Sequence, residues 1–235
     1  MVIKRSLASL SLLGGLVNVG AVWAEEAPSP LAGNVALVSD YKYRGVTQTD
    51  RNPALQAGLT YTHASGLYAG LWGSNVNFQD GNEASLELDL KAGYTQTIDK
   101  LSYDLWAVGY FYPGATHDLH YDFMELGGKL GYDLGFAKLA GSLNYAPEYF
   151  GKTGAAWYYL LEASVPLPMN FDIHGHYGVS DFDRKSMDDY GDWALGIKKS
   201  IGSFDISLDY WDTAGVAQKS NWTDGRLILS LTKNF

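Results

Sequence analysis

Apolar and polar residues alternate along most of this chain of 235 residues. In the clearest stretch, residues 83–95, apolar side chains stand at every second position from Ala84 to Tyr94, and mostly polar residues stand between them. Successive side chains of a strand point to opposite faces, so a period of two predicts a strand with one apolar face. A helix built from the same residues would scatter charge around its whole circumference, so we predict a strand here.

The same alternation predicts an all-β fold of about twelve strands. Their expected bounds are residues 34–44, 53–62, 67–75, 83–95, 101–112, 124–132, 137–145, 157–165, 171–179, 192–198, 204–210 and 225–235. Short turns follow the even strands and long loops follow the odd ones, as in a single antiparallel up-and-down transmembrane β-barrel. A β-sandwich gives no reason for such regularity. Both termini are then expected on the short-turn side, which is periplasmic in outer-membrane barrels.

The last strand has its own pattern. Leu227, Leu229, Leu231 and Phe235 share one face, and the chain ends on the aromatic residue. A terminal strand of this kind resembles the signal that the barrel-assembly machinery of the outer membrane reads. Lys233 interrupts the apolar face, and we expect it near the membrane boundary, where its amine can reach the lipid headgroups. A sandwich strand that happens to end in Phe is the alternative.

The first residues predict export. Lys4 and Arg5 precede a mostly apolar stretch, residues 7–22, and Val22-Trp23-Ala24 fits a cleavage site. We therefore expect a signal peptide of the Sec pathway at residues 1–24, a flexible lead-in at residues 25–33 and the barrel at residues 34–235. An uncleaved anchor helix is the alternative, but several Gly and Asn residues make the stretch a poor one.

Composition narrows the function classes. No segment of the mature chain has the ~20 consecutive apolar residues that a membrane-spanning helix needs. The formal net charge of −9 argues against nucleic acid as a partner, and the absence of cysteine excludes disulfides and thiolate chemistry. Outward aromatic residues fall into two rings, as at the two membrane–water interfaces. They are Tyr61, Tyr94, Tyr132 and Phe235 at short-turn ends, and Tyr43, Tyr145, Trp157, Trp193 and Tyr210 at long-loop ends.

The opposite strand faces would line the interior. Candidate pore-lining or constriction residues are Asp40, Lys42, Arg44, Gln48, Glu87, Asp89, Lys91, Glu125, Lys129, Glu162, Asp172, His174, His176, Asp192, Lys198, Asp205, Asp209 and Arg226. So many charges favour a wet lumen, and the excess of acids predicts a weak preference for cations. The alternative is a plugged barrel whose charges are held in cross-strand pairs, such as Asp209 with Arg226.

Chemistry beyond a channel has little support. His174 and His176 lie two apart on one strand face with Asp172, a spacing that can hold a metal, but two polar lumen residues is the simpler interpretation. No serine–histidine spacing points to a lipid-modifying enzyme, although a triad need not be local in sequence. We therefore expect neither catalytic residues, nor a metal, nor a cofactor.

Three stretches carry a family resemblance. Residues 38–50 (VSDYKYRGVTQTD), 53–58 (PALQAG) and 66–76 (GLYAGLWGSNV) resemble the TorF family of proteobacterial outer-membrane proteins. The resemblance implies an outer-membrane barrel and a porin role. The matched Asp40, Arg44, Gln48 and residues 72–75 would cluster near the outer ends of strands one to three. There they would shape a constriction or fold a loop inward, or else fix the register of the first three strands.

These observations predict a narrow Gram-negative outer-membrane channel for passive diffusion of small polar solutes or ions. Outer-membrane lipid and lipopolysaccharide would be its surroundings, and the loop at residues 181–189 could bridge lipopolysaccharide through divalent ions. Two alternatives remain: a lipid-modifying barrel enzyme that uses His174 or His176, and a closed structural or adhesion barrel.

Overall fold

The chain folds into a closed antiparallel barrel of twelve strands in this computed structural model, which describes residues 30–79, 81, 84–183, 187–216 and 219–235. The barrel strands are β1 (Leu31–Val38), β4 (Ala54–Thr62), β5 (Leu67–Asn75), β6 (Leu86–Ile98), β7 (Leu101–Phe111), β8 (Phe123–Asp133), β9 (Lys138–Ala146), β10 (Ala156–Leu167), β11 (Phe171–Phe182), β12 (Tyr190–Ile201), β13 (Phe204–Ala214) and β14 (Arg226–Asn234). Two short strands, β2 (Lys42–Tyr43) and β3 (Val46–Thr47), form a separate hairpin.

Each barrel strand pairs with its neighbours in sequence, and β1 closes the barrel against β14. The closing register places Asn34 opposite Asn234 and Val38 opposite Ser230. Short turns and long loops alternate around the barrel, so one end carries the short turns with the start of β1 and the end of β14, and the other carries the long loops. We call these the short-turn end and the long-loop end. The predicted twelve-stranded antiparallel barrel is confirmed.

The barrel is apolar outside and polar inside. Leucines on the outer face are widely exposed, for example Leu90 at 59%, Leu161 at 68% and Leu229 at 55%. A soluble monomer rarely exposes so continuous an apolar surface, whereas lipid covers it in a membrane. Most of the residues predicted in the two interfacial rings lie on the outer face, as expected. Tyr145 packs on Trp157 with centroids 4.3 Å apart at the long-loop end.

The described helices are three single turns, His117–Leu119, Phe150–Lys152 and Pro168–Asn170. Within the part of the chain that the structure describes, no helix is long and apolar enough to cross a membrane. The predicted signal peptide, residues 1–24, and the first residues of the lead-in, 25–29, lie outside the described residues.

The first strand differs most from its prediction. It begins three residues early, at Leu31, and ends at Val38 instead of continuing to Arg44. After Ser39, whose amide bonds to Leu229 O at 2.9 Å, the backbone leaves the barrel wall and enters the lumen. Tyr43, which we predicted in the outer aromatic ring, therefore lies inside, and so does Tyr41.

A smaller shift affects β6. It spans Leu86–Ile98 instead of residues 83–95, so the following turn is shorter than predicted. Glu83, the first residue of the predicted strand, lies outside the described residues. The phase of the alternation is as predicted, because Leu86, Leu88 and Leu90 are exposed while Glu87 and Asp89 are buried.

Candidate functional site: the barrel interior

A stretch of chain folded into the lumen dominates the long-loop half of the barrel. Residues 39–52, which we call the inward segment, leave β1, form the β2–β3 hairpin and return to β4. The hairpin tip is Arg44-Gly45, with φ of 49° and 80°. A Cβ at Gly45 would lie 2.7 Å from Thr213 Cγ2 and 2.8 Å from Asp192 Cβ. The tip therefore reaches the wall formed by β12 and β13, and only glycine fits there.

Asp40 organises the base of the inward segment. Its Oδ1 accepts hydrogen bonds from the hydroxyls of Thr47, at 2.5 Å, and Thr49, at 3.2 Å. Its Oδ2 lies 3.8 Å from Arg226 Nη1 on β14. The Gln48 amide donates to Tyr41 O at 2.7 Å, so the hairpin satisfies its own backbone. Side-chain bonds to one buried carboxylate thus replace the barrel hydrogen bonds that the segment gives up.

Arg44 fixes the tip to the far side of the lumen. Its Nη2 donates to Glu125 Oε1 and Oε2 on β8, at 2.7 and 2.8 Å. The guanidinium carbon also lies 4.3 Å from the centroid of the Tyr158 ring and 4.7 Å from that of Tyr43. Glu125 accepts a further bond from the Tyr110 hydroxyl at 3.2 Å. Charge-assisted hydrogen bonds and cation–π contacts reinforce each other here, because both partners are out of water.

Aromatic rings close the space around this contact. Tyr121 stacks on Phe150 at 4.2 Å, and Phe78 contacts both Phe150 and Tyr112 with centroids 5.6 Å away. Burial raises the pKa of Tyr149, whose ring lies beside Arg44, to about 12, so its hydroxyl is neutral at physiological pH. Side chains therefore pack the long-loop half of the lumen, where we had expected open water.

The wall of β10–β13 carries the two histidines. His174 Nε2 lies 2.6 Å from Asp209 Oδ1, and its Nδ1 lies 3.3 Å from Asp172 Oδ1. His176 Nε2 lies 2.9 Å from Asp192 Oδ1, and the Tyr158 hydroxyl donates to the same carboxylate. Each histidine thus has its own acidic partner.

This arrangement lacks the features of a metal or hydrolase site. Among the described residues, no three or more His, Asp or Glu side chains are grouped so that they could hold a metal ion. In the same part of the chain, no serine hydroxyl bonds to His174 or His176. Ser207 Oγ instead donates to Asp209 Oδ2 at 2.6 Å, which leaves no histidine positioned to take its proton.

Every predicted lining residue is buried or half-buried inside the barrel, and none is exposed. The structure brings Asp40 together with Arg226, Arg44 with Glu125, and Lys129 with Glu162. Asp205 accepts from Ser200 and Asn234, and Lys91 lies 3.7 Å from Asp104. The alternative pairing of Asp209 with Arg226 was wrong, since Asp209 contacts His174 instead.

Sequence reasoning missed several aromatic residues of the interior. Trp106 and Tyr110 lie inside on β7, and neither is among the lining residues predicted from the sequence. They share the strand phase of Asp104, which is the signal that could have placed them, because residues two apart share a face. Tyr149 and Phe150 come from a loop, where no period could have indicated their position.

A closed barrel with an apolar outer belt and a charged interior defines a transmembrane β-barrel of the porin type. The chain belongs to the family Gcw_chp, described as a bacterial protein of unknown function, whose model matches residues 24–234. A search of curated protein sequences finds no match.

Solved structures share the fold at very low identity. The KdgM porin matches with a TM-score of 0.61 and 5% identity, over 87% of this chain and 99% of that one. The KdgM porin in complex with disordered oligogalacturonate gives a TM-score of 0.58 and 6% identity, over 87% and 98% of the two chains. The two proteins thus share the barrel architecture.

Proposed function

We propose that this protein is a narrow outer-membrane channel for passive diffusion of small polar solutes or ions, constricted by the inward segment and weakly preferring cations. The observation that carries the proposal is the attachment of this segment across a charge-lined lumen, through Arg44 and Glu125. Buried ion pairs are a costly way to fill a barrel that needs only stability, because apolar residues of similar volume do so as well or better. Charged rings and loops in a pore are, in contrast, what sets selectivity in channels.

The solute class follows from charge. Acids outnumber bases among the inward residues, so the lumen disfavours anions. The KdgM porin was solved with oligogalacturonate, whose sugar units each carry a carboxylate. We do not extend that ligand to this chain and propose cations and neutral solutes instead.

Location and partners complete the proposal. We propose export through the Sec pathway by residues 1–24, periplasmic termini, and assembly through the terminal strand that ends at Phe235. The outer leucines would contact lipid, and the long loops would face lipopolysaccharide. The finer family assignment, TorF, rests on the resemblance of residues 38–76 and is proposed on that ground alone.

Single-channel recording in a planar bilayer tests the channel. We expect small discrete conductance steps from refolded, heat-modifiable protein. A variant whose residues 42–49 are replaced by a Gly-Ser linker of equal length should conduct several-fold more, because the lumen is then wider. The same linker in place of residues 113–120, a long loop, serves as a control for loop replacement in general. Silence from folded wild-type protein, with large steps from the linker variant, would refute the channel.

That outcome would favour the second candidate, a closed structural barrel. The observation that supports this candidate is the packed interior. The enzyme alternative has a separate test, in which His174 and His176 are both replaced by Ala. Loss of a lipid-modifying activity with unchanged conductance would support it.

A further inference from the structure

Two carboxylates on β6 lie under the inward segment. Glu87 and Asp89 are two residues apart, so they share the inner face of the strand, and they are 1% and 2% exposed. In the barrel register, Asp89 stands opposite Trp72 on β5 and Tyr110 on β7. The Tyr41 hydroxyl of the inward segment donates to Glu87 Oε1 at 3.2 Å.

Three of their four oxygens have no hydrogen-bond partner among the described residues: Glu87 Oε2, Asp89 Oδ1 and Asp89 Oδ2. No described Lys, Arg or His forms an ion pair with either side chain. This sets them apart from the other deeply buried carboxylates, since Glu125 has Arg44, Glu162 has Lys129 and Asp209 has His174.

Two adjacent carboxylates without a counter-charge are strongly unfavourable in a site closed to water. Either protons or a cation must compensate them. The surroundings favour a cation. The free carboxylate oxygens are hard ligands for a metal cation, and the strand register places Trp72 and Tyr110, neither of them a base, on either side of Asp89.

We propose that Glu87 and Asp89 form a binding site for a monovalent metal cation, potassium or sodium, beneath the inward segment. The proposal deepens the proposed channel function, on which its physiological meaning rests, by naming the site of the cation preference. Calcium sites gather several acidic ligands, and magnesium dehydrates reluctantly. The described residues bring no third acid or histidine into metal-binding reach, and Glu87 and Asp89 are closed to water, so a singly charged ion fits the pair better.

Cation binding is tested separately from conductance. The measured quantity is the thermal midpoint, the temperature at which half of the protein has lost the gel mobility of the folded barrel. Potassium chloride is compared with N-methylglucamine chloride at equal ionic strength. Wild-type protein should gain about 3–5 °C at a potassium concentration tenfold above its dissociation constant. Asp89→Asn, which keeps the shape but removes the charge, should lose this gain. Asp133→Asn is the matched control, because Asp133 is a half-buried acid at the short-turn end of β8 whose Oδ1 accepts a hydrogen bond from the Gly135 amide.

The control variant should keep the potassium-dependent gain. An equal midpoint in both salts for the wild type, or an unchanged gain in Asp89→Asn, would overturn the proposal. If protons alone compensate the pair, wild-type protein shows no potassium dependence at any pH. A larger gain with calcium chloride at equal ionic strength would overturn the assignment to a monovalent ion.

The reversal potential under a potassium chloride gradient then connects the site to the channel. The permeability ratio of potassium to chloride should fall at least about twofold in Asp89→Asn and change little in Asp133→Asn, because charge at the constriction dominates selectivity. A potassium-dependent midpoint without current would preserve the site and refute the channel. Current with an unchanged ratio in Asp89→Asn would place the selectivity elsewhere and refute this role.

Discussion

On the wall formed by β4–β8, aromatic rings fill the interior, whereas on the wall formed by β10–β13, histidines and hydroxyls bond to buried carboxylates. We call these the aromatic wall and the histidine wall. Trp72, Trp106 and Tyr110 represent the first, and His174 and His176 the second. The inward segment contacts both, since Tyr41 packs on Trp72 and the tip approaches Asp192.

The two walls fill the lumen with different side chains, and this difference decides whether a buried acid has a partner. Rings fill volume but offer few donors, so the acids Glu87 and Asp89 remain without a basic partner among the described residues. On the histidine wall the acids are paired, because each histidine nitrogen can act as a donor. Arg44 lies between the two, since it bonds to Glu125 on the aromatic wall and covers the Tyr158 ring on the histidine wall.

Breaking the contact between the walls should have the largest effect. Arg44→Ala leaves Glu125 buried without a counter-charge, which costs about 3–5 kcal/mol for a buried pair. We expect the inward segment to leave the lumen, with higher conductance and protease cleavage within residues 39–52. Arg51→Ala removes the same charge from the same segment outside this contact and should change neither. An uncleaved Arg44→Ala protein with wild-type conductance would contradict the assignment.

The second-largest effect is expected on the histidine wall. His174→Ala removes the base that faces both Asp209 and Asp172, and Ser207 then remains the only described donor to Asp209. We expect a loss of about 2–3 kcal/mol in the free energy of unfolding, measured by urea titration in lipid vesicles. His63→Ala, in an exposed turn, is the control. Equal losses in the two variants would mean that the buried pairing contributes nothing.

A smaller effect is expected at the tip of the inward segment. Gly45→Ala would place a methyl group within 3 Å of Thr213 and Asp192, at a φ of 80°. We expect a cost of about 2 kcal/mol in docking of the segment and a measurable rise in conductance. Gly135→Ala is the control, because its φ of 87° is as restrictive while no atom lies within 4 Å of the added Cβ. Similar conductance of both variants would show that backbone strain, rather than contact with the wall, matters.

The smallest effect is expected when one buried hydroxyl group, that of Tyr158, is removed. Tyr158→Phe removes the donor to Asp192 and should cost about 1 kcal/mol in the free energy of unfolding. Tyr159→Phe makes the same change on the outer face, where the side chain is 46% exposed, and should be nearly neutral. The same urea titration measures both, and a larger loss for Tyr159→Phe would reverse the predicted strand phase.

Strand phase could be predicted wherever both faces are constrained. On β6, Leu90 must contact lipid and Asp89 must avoid it, so one pattern fixes both. In residues 39–52 the alternation continues but no longer indicates a face, because the chain has left the wall. That departure depends on Thr47 and Thr49 bonding to Asp40, a contact that no local period reveals.

Partners inside the lumen were harder to predict for a similar reason. Asp209 reaches across β12 to His174 because residue 196 is a glycine. A Cβ there would lie 1.8 Å from Asp209 Oδ1. The missing side chain, rather than any charged residue, thus decides which base the acid meets, and strand alternation alone indicated Arg226 equally well.

The closing contact of β1 with β14 has one more consequence. Its register pairs span Asn34–Val38, with backbone bonds of Gly33 to Phe235 and of Ser39 to Leu229 at either end, whereas β1 pairs with β4 along its whole length. The inward segment adds contacts at this junction from within, through Asp40 with Arg226 and the Thr47 amide with Trp222 O at 2.9 Å. Those contacts need the last strand and its preceding loop in place. The inward segment can therefore complete its contacts only after the last strand has joined the first.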